Sequence, residues 1–220
     1  YYLGIPRMNQ VLKYLLKDVA IKCQTRIEKM QAKHQQWHLY DDQEQFQGCF
    51  DWVISTAPAQ QTEALFSQEI SFFHQLSSLY LKPQYVLMLG LQEAVSSLEP
   101  VLDIHDGVIE LLVNNSSKPK RPQASSWLVY ADKSWSEKHL EDDSQEVEQT
   151  LLLQALKYLQ IEPQAIGYQS LHRWRYAQST HTLKQAEVLI DSHLQCAACG
   201  DWCFNGDVES AYLSAEALLE

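Results

Sequence analysis

Apolar and polar residues alternate along residues 1–66 with periods that distinguish helices from strands. Apolar positions three and four residues apart predict amphipathic helices, and alternating apolar positions predict half-buried strands. In chain order, the predicted elements are a helix over 8–16, strands over 19–28, around 37–40 and over 50–56, and a helix over 60–66. Ala57 and Pro58 end the last of these strands just before the second helix. A strand that ends in this way is a common place for a ligand to approach a sheet edge.

The rest of the chain carries more strand patterns than helix patterns. The predicted elements are strands over 85–91, 108–113 and 127–130, a helix over 144–159, an extended run over 165–176, a short strand over 194–198 and a helix over 207–219. The first three strands, joined by irregular connections, predict an antiparallel sheet, and the apolar face of the 144–159 helix predicts that this helix covers the sheet. The expected fold class is therefore α+β.

Composition narrows the range of functions. The chain has 220 residues, of which 45% are hydrophobic, and this proportion is typical of a folded globular protein. Its formal net charge of -11 would repel a polyanion, so we expect no nucleic-acid partner. We also expect no membrane partner and a cytoplasmic location, because the sequence has neither a spanning apolar run nor a signal-peptide pattern.

Three cysteines lie close together near the end of the chain, at positions 196, 199 and 203. This spacing would suit a zinc or iron–sulfur site, but the run lacks a fourth ligand. The odd total of five cysteines also favours reduced thiols over a disulfide framework. We therefore predict no metal site.

Aromatic and basic residues alternate over 172–176. On a strand, His172, Trp174 and Tyr176 share one face, and Arg173 and Arg175 share the other. One interpretation makes the aromatic face the wall of a substrate cavity. The other makes it a ladder that faces the core, with the arginines in solvent. The residues alone leave both interpretations open.

The segment 199–215 contains Gly200-Asp201, Gly206-Asp207-Val208-Glu209 and then a small-residue helix. This order resembles the C-terminal flavin motif of the renalase and flavin-containing amine oxidase family, except that Ala215 stands where glycine is typical. Three further segments resemble the family in the same chain order. They are the Gly-x-x-x-Met segment at 4–9 that precedes a helix, the strand and Pro-x-Gln turn at 51–60, and the His-Arg-Trp-Arg-Tyr-Ala strand at 172–177. A fourth, the strand around Ile27, resembles the one that meets the adenine.

The resemblance implies FAD as cofactor and divides the chain in two. Residues 1–62 and 184–220 would form an α/β FAD-binding domain, and 63–183 an inserted substrate domain with a β-sheet and the long helix. The implied cofactor-binding residues are Ile27, Ala57, Pro58, Gly200, Asp201, Gly206, Asp207, Val208 and Glu209. Asp201 would hold the linker of the cofactor, and the backbone near Val208 and Glu209 would stand beside the isoalloxazine. His172, Trp174 and Tyr176 would line the substrate cavity.

The family also has a Gly-x-Gly-x-x-Gly turn that binds phosphates, and the seven glycines here do not form one. We therefore expect a C-terminal fragment that is inactive by itself, does not hold FAD tightly and dimerises through an open strand edge. For the parent, the resemblance implies hydride transfer from isomers of dihydronicotinamide dinucleotides to flavin, with dioxygen as acceptor, as in bacterial renalase-like proteins. An FAD-dependent amine oxidase and a flavin-free binding module are the alternatives.

Overall fold

The computed structural model describes residues 4–95, 99–121, 124–179 and 187–219. The helices are α1 Gln10–Leu15, α2 Ala59–Leu65, α3 Phe73–Ser77, α4 Lys133–Lys138, α5 Ser144–Leu159 and α6 Val208–Glu216. The strands are β1 Ile27–Lys33, β2 Gln36–Asp41, β3 Phe46–Phe50, β4 Val53–Ser55, β5 Leu81–Leu91, β6 Val101–Asp103, β7 Ile109–Asn114, β8 Ser125–Ala131, β9 Ile166–Ser179, β10 Leu189–Asp191 and β11 Cys196–Ala198. Helices and antiparallel sheets together confirm the α+β class.

The longest predicted helix is confirmed at the predicted residues. α5 runs from Ser144 to Leu159, because Asp143 caps its first turn by accepting from Gln145 N and Glu146 N, and Gln160 ends it in a left-handed conformation. The predicted strand over 19–28 is wrong for most of its length, since β1 begins at Ile27. Gln24 has a φ of 55°, which interrupts the extended run despite its alternating pattern.

The chain divides into two compact units, Tyr1–Ala20 with Pro83–Arg175 and Ile21–Lys82 with Tyr176–Glu220. We call them the sheet unit and the motif unit. Each has its own hydrophobic core. The division into FAD-binding and substrate domains stays a prediction, and its expected boundary at 183/184 lies outside the described residues.

The sheet unit is built around the five-stranded order β6-β7-β8-β5-β9. One face of this sheet packs against α5. The buried residues of this core come from both the strands and the helix: Tyr85, Leu87, Leu89, Leu91, Ile109, Leu112, Trp127, Val129, Ala131, Val147, Leu151, Ala155 and Leu159. In β5 and β8 these core residues alternate along the strand, so the intervening residues lie on the opposite face.

The motif unit contains two three-stranded sheets. One is the antiparallel meander β1-β2-β3, and the other has the order β10-β11-β4, in which β11 and β4 run parallel. Trp37, Phe66 and Phe72 pack edge to face in the core, with ring centroids 5.9 and 5.7 Å apart. The parallel pair determines where the candidate site lies, because it places the carboxyl ends of β4 and β11 at the same edge of the sheet.

Candidate functional site

Two of the predicted cofactor segments meet at the carboxyl ends of β4 and β11. Ala57 and Pro58 follow β4, and Gly200 and Asp201 follow β11. The strands pair in register, with Ala198 opposite Ser55, and the ladder continues where Cys199 N donates to Ser55 O over 3.0 Å. Segments 145 residues apart in the sequence are therefore neighbours in the fold.

Trp202 joins these two segments, although the sequence reasoning did not single it out. Its buried indole Nε1 donates to Ala57 O over 3.1 Å. Thr62 Oγ1 donates to the same carbonyl over 3.0 Å, and its hydroxyl lies 2.7 Å from that of Ser55. A Cβ at position 200 would lie 2.5 Å from the Trp202 indole nitrogen, so this contact requires Gly200. In the sequence, the only sign of this role of Trp202 among the residues considered is the glycine two positions before it.

Asp201 is half-buried at this junction. Burial raises the pKa of its carboxyl above the usual value, the Trp202 N–H lowers it, and the nearby Asp207 carboxylate raises it further. The Asp201 carbonyl is used within the loop, where it accepts from Phe204 N and Gly206 N at 3.1 and 3.0 Å. Gly206 has a φ of 78°, which closes this turn and favours glycine. A carboxylate has about four acceptor positions, so the bond from the Trp202 N–H leaves others that can accept from a hydroxyl group of a ligand.

Helix α6 begins directly after this loop. The Asp207 carboxylate caps the helix by accepting from Ser210 N over 2.7 Å, and hydrogen bonds from the Ser210 side chain and N–H lower the pKa of the Asp207 carboxyl. The carboxylate of Asp207 thus serves as the cap of α6. No described group accepts from the backbone N–H groups of Val208 and Glu209. These two donors, at the positive end of the helix dipole, are suited to a negatively charged ligand edge.

Gln60 adds an acceptor near the Ala57–Pro58 turn. Its side-chain Oε1 is buried and has no hydrogen-bond partner among the described residues. Buried acceptors are nearly always satisfied, so an unpaired one is consistent with a bound donor. Ile27, by contrast, opens β1 in the antiparallel meander and pairs with Asp41, on a different sheet from the Gly200 segment.

The predicted substrate residues belong to β9. The rings of His172 and Trp174 contact each other at a centroid distance of 4.2 Å, and Trp174 is 53% exposed. Both lie in the sheet unit. Tyr176 belongs to the motif unit, where it is half-buried and packs against the core of that unit. The structure therefore brings two of the three aromatic residues into direct contact.

The arginines of β9 point to the other face of the strand. Arg173 donates to Leu140 O over 2.7 Å, and Arg175 binds the Glu141 carboxylate with both terminal nitrogens at 2.6 and 3.1 Å. They anchor β9 to the segment between α4 and α5. The alternative of a core-facing ladder of aromatic residues does not describe His172 and Trp174, because both are exposed.

The sheet face next to His172 and Trp174 is largely apolar. Its strand pairs place apolar and aromatic side chains in cross-strand rows: Val86 opposite Tyr130, Met88 opposite Leu128, Leu128 opposite Val113, and Tyr130 opposite Leu111. The Tyr130 phenol is neutral at physiological pH, and burial raises its pKa further above the ordinary value. A surface of this kind suits an uncharged planar group.

Three cysteines of the motif unit, Cys196, Cys199 and Cys203, are buried free thiols, whereas Cys23 and Cys49 are exposed. Burial raises the pKa of Cys196 to about 12 and that of Cys203 to about 11. Thiols in this state are poor nucleophiles and poor metal ligands. Within the described ranges, no cluster of three or more His, Cys, Asp or Glu side chains has the arrangement of a metal site. Nor does any described helix have the length and apolar character that crossing a membrane requires.

No family model matches the sequence. Among solved structures, the fold is similar to that of a protein described as a protoporphyrinogen oxidase from Exiguobacterium sp. 255-15, with a TM-score of 0.68 and 14% identity over 97% of this chain and 51% of that one. It is also similar to the cyclohexylamine oxidase of Brevibacterium oxydans IH-35A, with a TM-score of 0.67 and 13% identity over 97% of this chain and 52% of that one.

A third similar structure is a putrescine oxidase solved with putrescine bound, with a TM-score of 0.67 and 10% identity over 99% of this chain and 53% of that one. The chain therefore spans about half the length of each protein that it matches. At these identities, the likeness is one of fold. This chain is thus an α+β protein that has the fold of amine and protoporphyrinogen oxidases over about half of their length.

Proposed function

We propose that this chain is part of an FAD-dependent oxidoreductase. The observation that carries the proposal is the junction at the carboxyl ends of β4 and β11. There, the half-buried Asp201 carboxyl and the two open N–H groups of α6 lie within one short segment. The oxidase fold of the structural neighbours supports the same assignment.

The residues of this junction fit the chemistry of FAD. A carboxyl can accept hydrogen bonds from ribityl or ribose hydroxyls, and free N–H groups at a helix start favour the pyrimidine edge of the isoalloxazine, which becomes negative on reduction. Asp201, Val208 and Glu209 would therefore hold the cofactor, with Ala57, Pro58, Gly200 and Gly206 shaping the backbone around it. When bound, FAD supplies the two-electron acceptor that no protein side chain provides.

For the substrate, we propose an isomer of a dihydronicotinamide dinucleotide, as the renalase-like resemblance implies, with dioxygen as the final acceptor. The supporting observation is the face that carries His172 and Trp174, since its apolar and aromatic side chains suit a planar, uncharged ring. These residues would orient the ring and exclude water, and positioning of this kind supplies much of the catalysis in hydride transfer.

An FAD-dependent amine oxidase is the second candidate. The names of the structural neighbours favour it, because a cyclohexylamine oxidase and a putrescine oxidase share this fold. A flavin-free binding module that retains the fold is the third. Visible absorbance separates the third candidate from the other two, and the choice of electron donor separates the first from the second.

The test begins with protein expressed from the whole open reading frame that contains this chain. We expect bound FAD, seen as a yellow colour, and rapid anaerobic bleaching by isomeric dihydronicotinamide dinucleotides. Bleaching by amines alone would establish the second candidate. A colourless protein that stays colourless with added FAD would support the third candidate and refute the proposal.

The site itself is tested by Asp201→Asn in the same protein. Because the substitution weakens hydrogen bonds made to a charged acceptor, we expect the Kd for FAD to rise by about 10- to 100-fold. Asp51→Asn is the matched control in the motif unit, since the Asp51 carboxylate is exposed and accepts from Gln36 Nε2. Equal FAD affinity in both variants would exclude Asp201 from the site. For this chain by itself, we expect a titration to show only weak FAD binding.

A further inference from the structure

Helix α6 has an unusual buried face. Its fully buried residues are Ser210 and Ser214, which lie four positions apart, whereas its larger apolar residues are exposed, Val208 at 85% and Tyr212 at 62%. The helix predicted over 207–219 rests on apolar residues along one side, at Val208, Ala211, Tyr212, Ala215 and Leu218. Hydrogen bonds from serines therefore replace much of the apolar contact that usually holds a helix in place.

Both hydroxyls act on the loop that contains Asp201. Ser214 Oγ accepts from Gly200 N over 3.2 Å and donates to Glu187 O over 2.7 Å. The Ser214 hydroxyl also lowers the pKa of the nearby Cys203 thiol, against the larger effect of burial, which raises it. Ser210 Oγ accepts from Asn205 N over 3.1 Å. The two serines thus bind the loop at the residue before Asp201 and at a residue near its end.

These bonds attach the loop to α6, while the buried Trp202 attaches it to the Ala57 segment. Its internal bonds, from Cys203 N to Gly200 O and from Phe204 N and Gly206 N to Asp201 O, define its shape. They do not attach it to α6. Ser214 makes that attachment at Gly200, immediately before Asp201, so it helps to fix where the Asp201 carboxyl lies relative to the start of α6.

We infer that Ser214, assisted by Ser210, is a positioning residue for the candidate cofactor site: it holds the Asp201 carboxyl and the free N–H groups of α6 in one arrangement. A buried hydroxyl that both donates and accepts fixes direction as well as distance, whereas an apolar contact has no preferred direction. The inference rests on the proposed function for its ligand, but its geometry is a property of this chain alone.

The test uses Ser214→Ala, with Ser136→Ala as a closely matched control. Ser136 is also fully buried on a helix, donates to Asp132 O over 2.8 Å and accepts from Tyr85 N over 3.2 Å, but it belongs to the sheet unit. The two substitutions remove the same atoms from the same kind of environment. Effects common to both variants therefore report general destabilisation.

The first readouts need no cofactor. In this chain, we expect Ser214→Ala to speed hydrogen exchange at the Gly200 amide by about tenfold, as follows from the loss of one hydrogen bond. We also expect the pKa of the Asp201 carboxyl, followed by NMR, to fall towards its ordinary value as the loop becomes more hydrated. Ser136→Ala should change neither. If the Asp201 titration is the same in Ser214→Ala and wild type, the inference is wrong.

The second readout is FAD affinity in protein from the whole reading frame. We expect the Kd to rise about tenfold in Ser214→Ala and to stay unchanged in Ser136→Ala. An unchanged Kd in Ser214→Ala overturns the positioning role. If wild-type protein binds no FAD, the proposed function fails, and the Asp201 titration still decides the inference. Should Ser214→Ala not fold, Ser210→Ala is measured in the same way, and hydrogen exchange is then followed at the backbone amide of Asn205.

Discussion

Two buried tryptophans show how the contribution of one side chain to the free energy of unfolding depends on its indole N–H. Trp37 and Trp127 are both buried, one in each core. Trp37 Nε1 donates to Leu194 O over 2.8 Å, whereas Trp127 Nε1 has no partner among the described residues. An unpaired buried donor costs free energy that removal of the donor recovers.

We therefore expect Trp37→Phe to lower the free energy of unfolding by about 1–2 kcal/mol more than Trp127→Phe. Both substitutions remove one ring and leave a similar space, so the difference isolates the indole N–H. Urea unfolding of the two variants, followed by circular dichroism, measures it. A larger loss for Trp127→Phe would mean that its N–H has a partner in solution.

At the scale of secondary-structure elements, helix α5 ends where one residue, Gln160, adopts a left-handed backbone conformation. Gln160 caps the helix with φ 54° and ψ 44°, a left-handed conformation that costs an ordinary residue about 1 kcal/mol more than glycine. Gln160→Gly should therefore stabilise the protein by up to about 1 kcal/mol.

The control for this prediction is the same substitution inside the helix. Gln149 is exposed in the middle of α5, where glycine is destabilising by about 0.5–1 kcal/mol. The two variants should shift the thermal midpoint in opposite directions, which differential scanning calorimetry detects. Shifts of the same sign would show that Gln160 is not left-handed in solution.

At the scale of the whole molecule, association through an open strand edge stays a prediction that the structure makes specific. β4 is the last strand in the order β10-β11-β4, and Ile54 in its centre is 47% exposed. An edge strand presents a row of backbone N–H and C=O groups to another strand, so this edge favours pairing with a second copy. We expect light scattering to show dimers at high concentration.

Ile54→Lys should abolish that dimer, because a charge on an edge strand opposes pairing with another strand. Leu153→Lys is the control, since Leu153 is equally apolar and is exposed on helix α5. A protein that remains monomeric at every concentration would contradict the prediction. Dimers that survive Ile54→Lys would place the interface elsewhere.

Local patterns determined the α+β class, the bounds of α5 and most of the strands. They also marked the end of a strand before Gly200 and the start of α6, because turn glycines, capping residues and strand periodicity act over a few residues. The cofactor role of Gly200 and Asp201 came only from the family resemblance. Tertiary structure decided the rest. The alternating pattern over 19–28 forms no strand before Ile27, since a strand needs a partner that its own sequence does not encode.

The arrangement of the candidate site also depended on contacts between distant residues. Only the parallel pairing of β4 with β11 brings Ala57 beside Gly200, and only the folded chain gives Trp202 the Ala57 carbonyl as its partner. The apolar stripe predicted for α6 is not its buried face, because the structure buries Ser210 and Ser214 instead. The protein buried the serines because the loop presented N–H groups that needed acceptors, and a buried donor without an acceptor costs more free energy than an exposed apolar side chain.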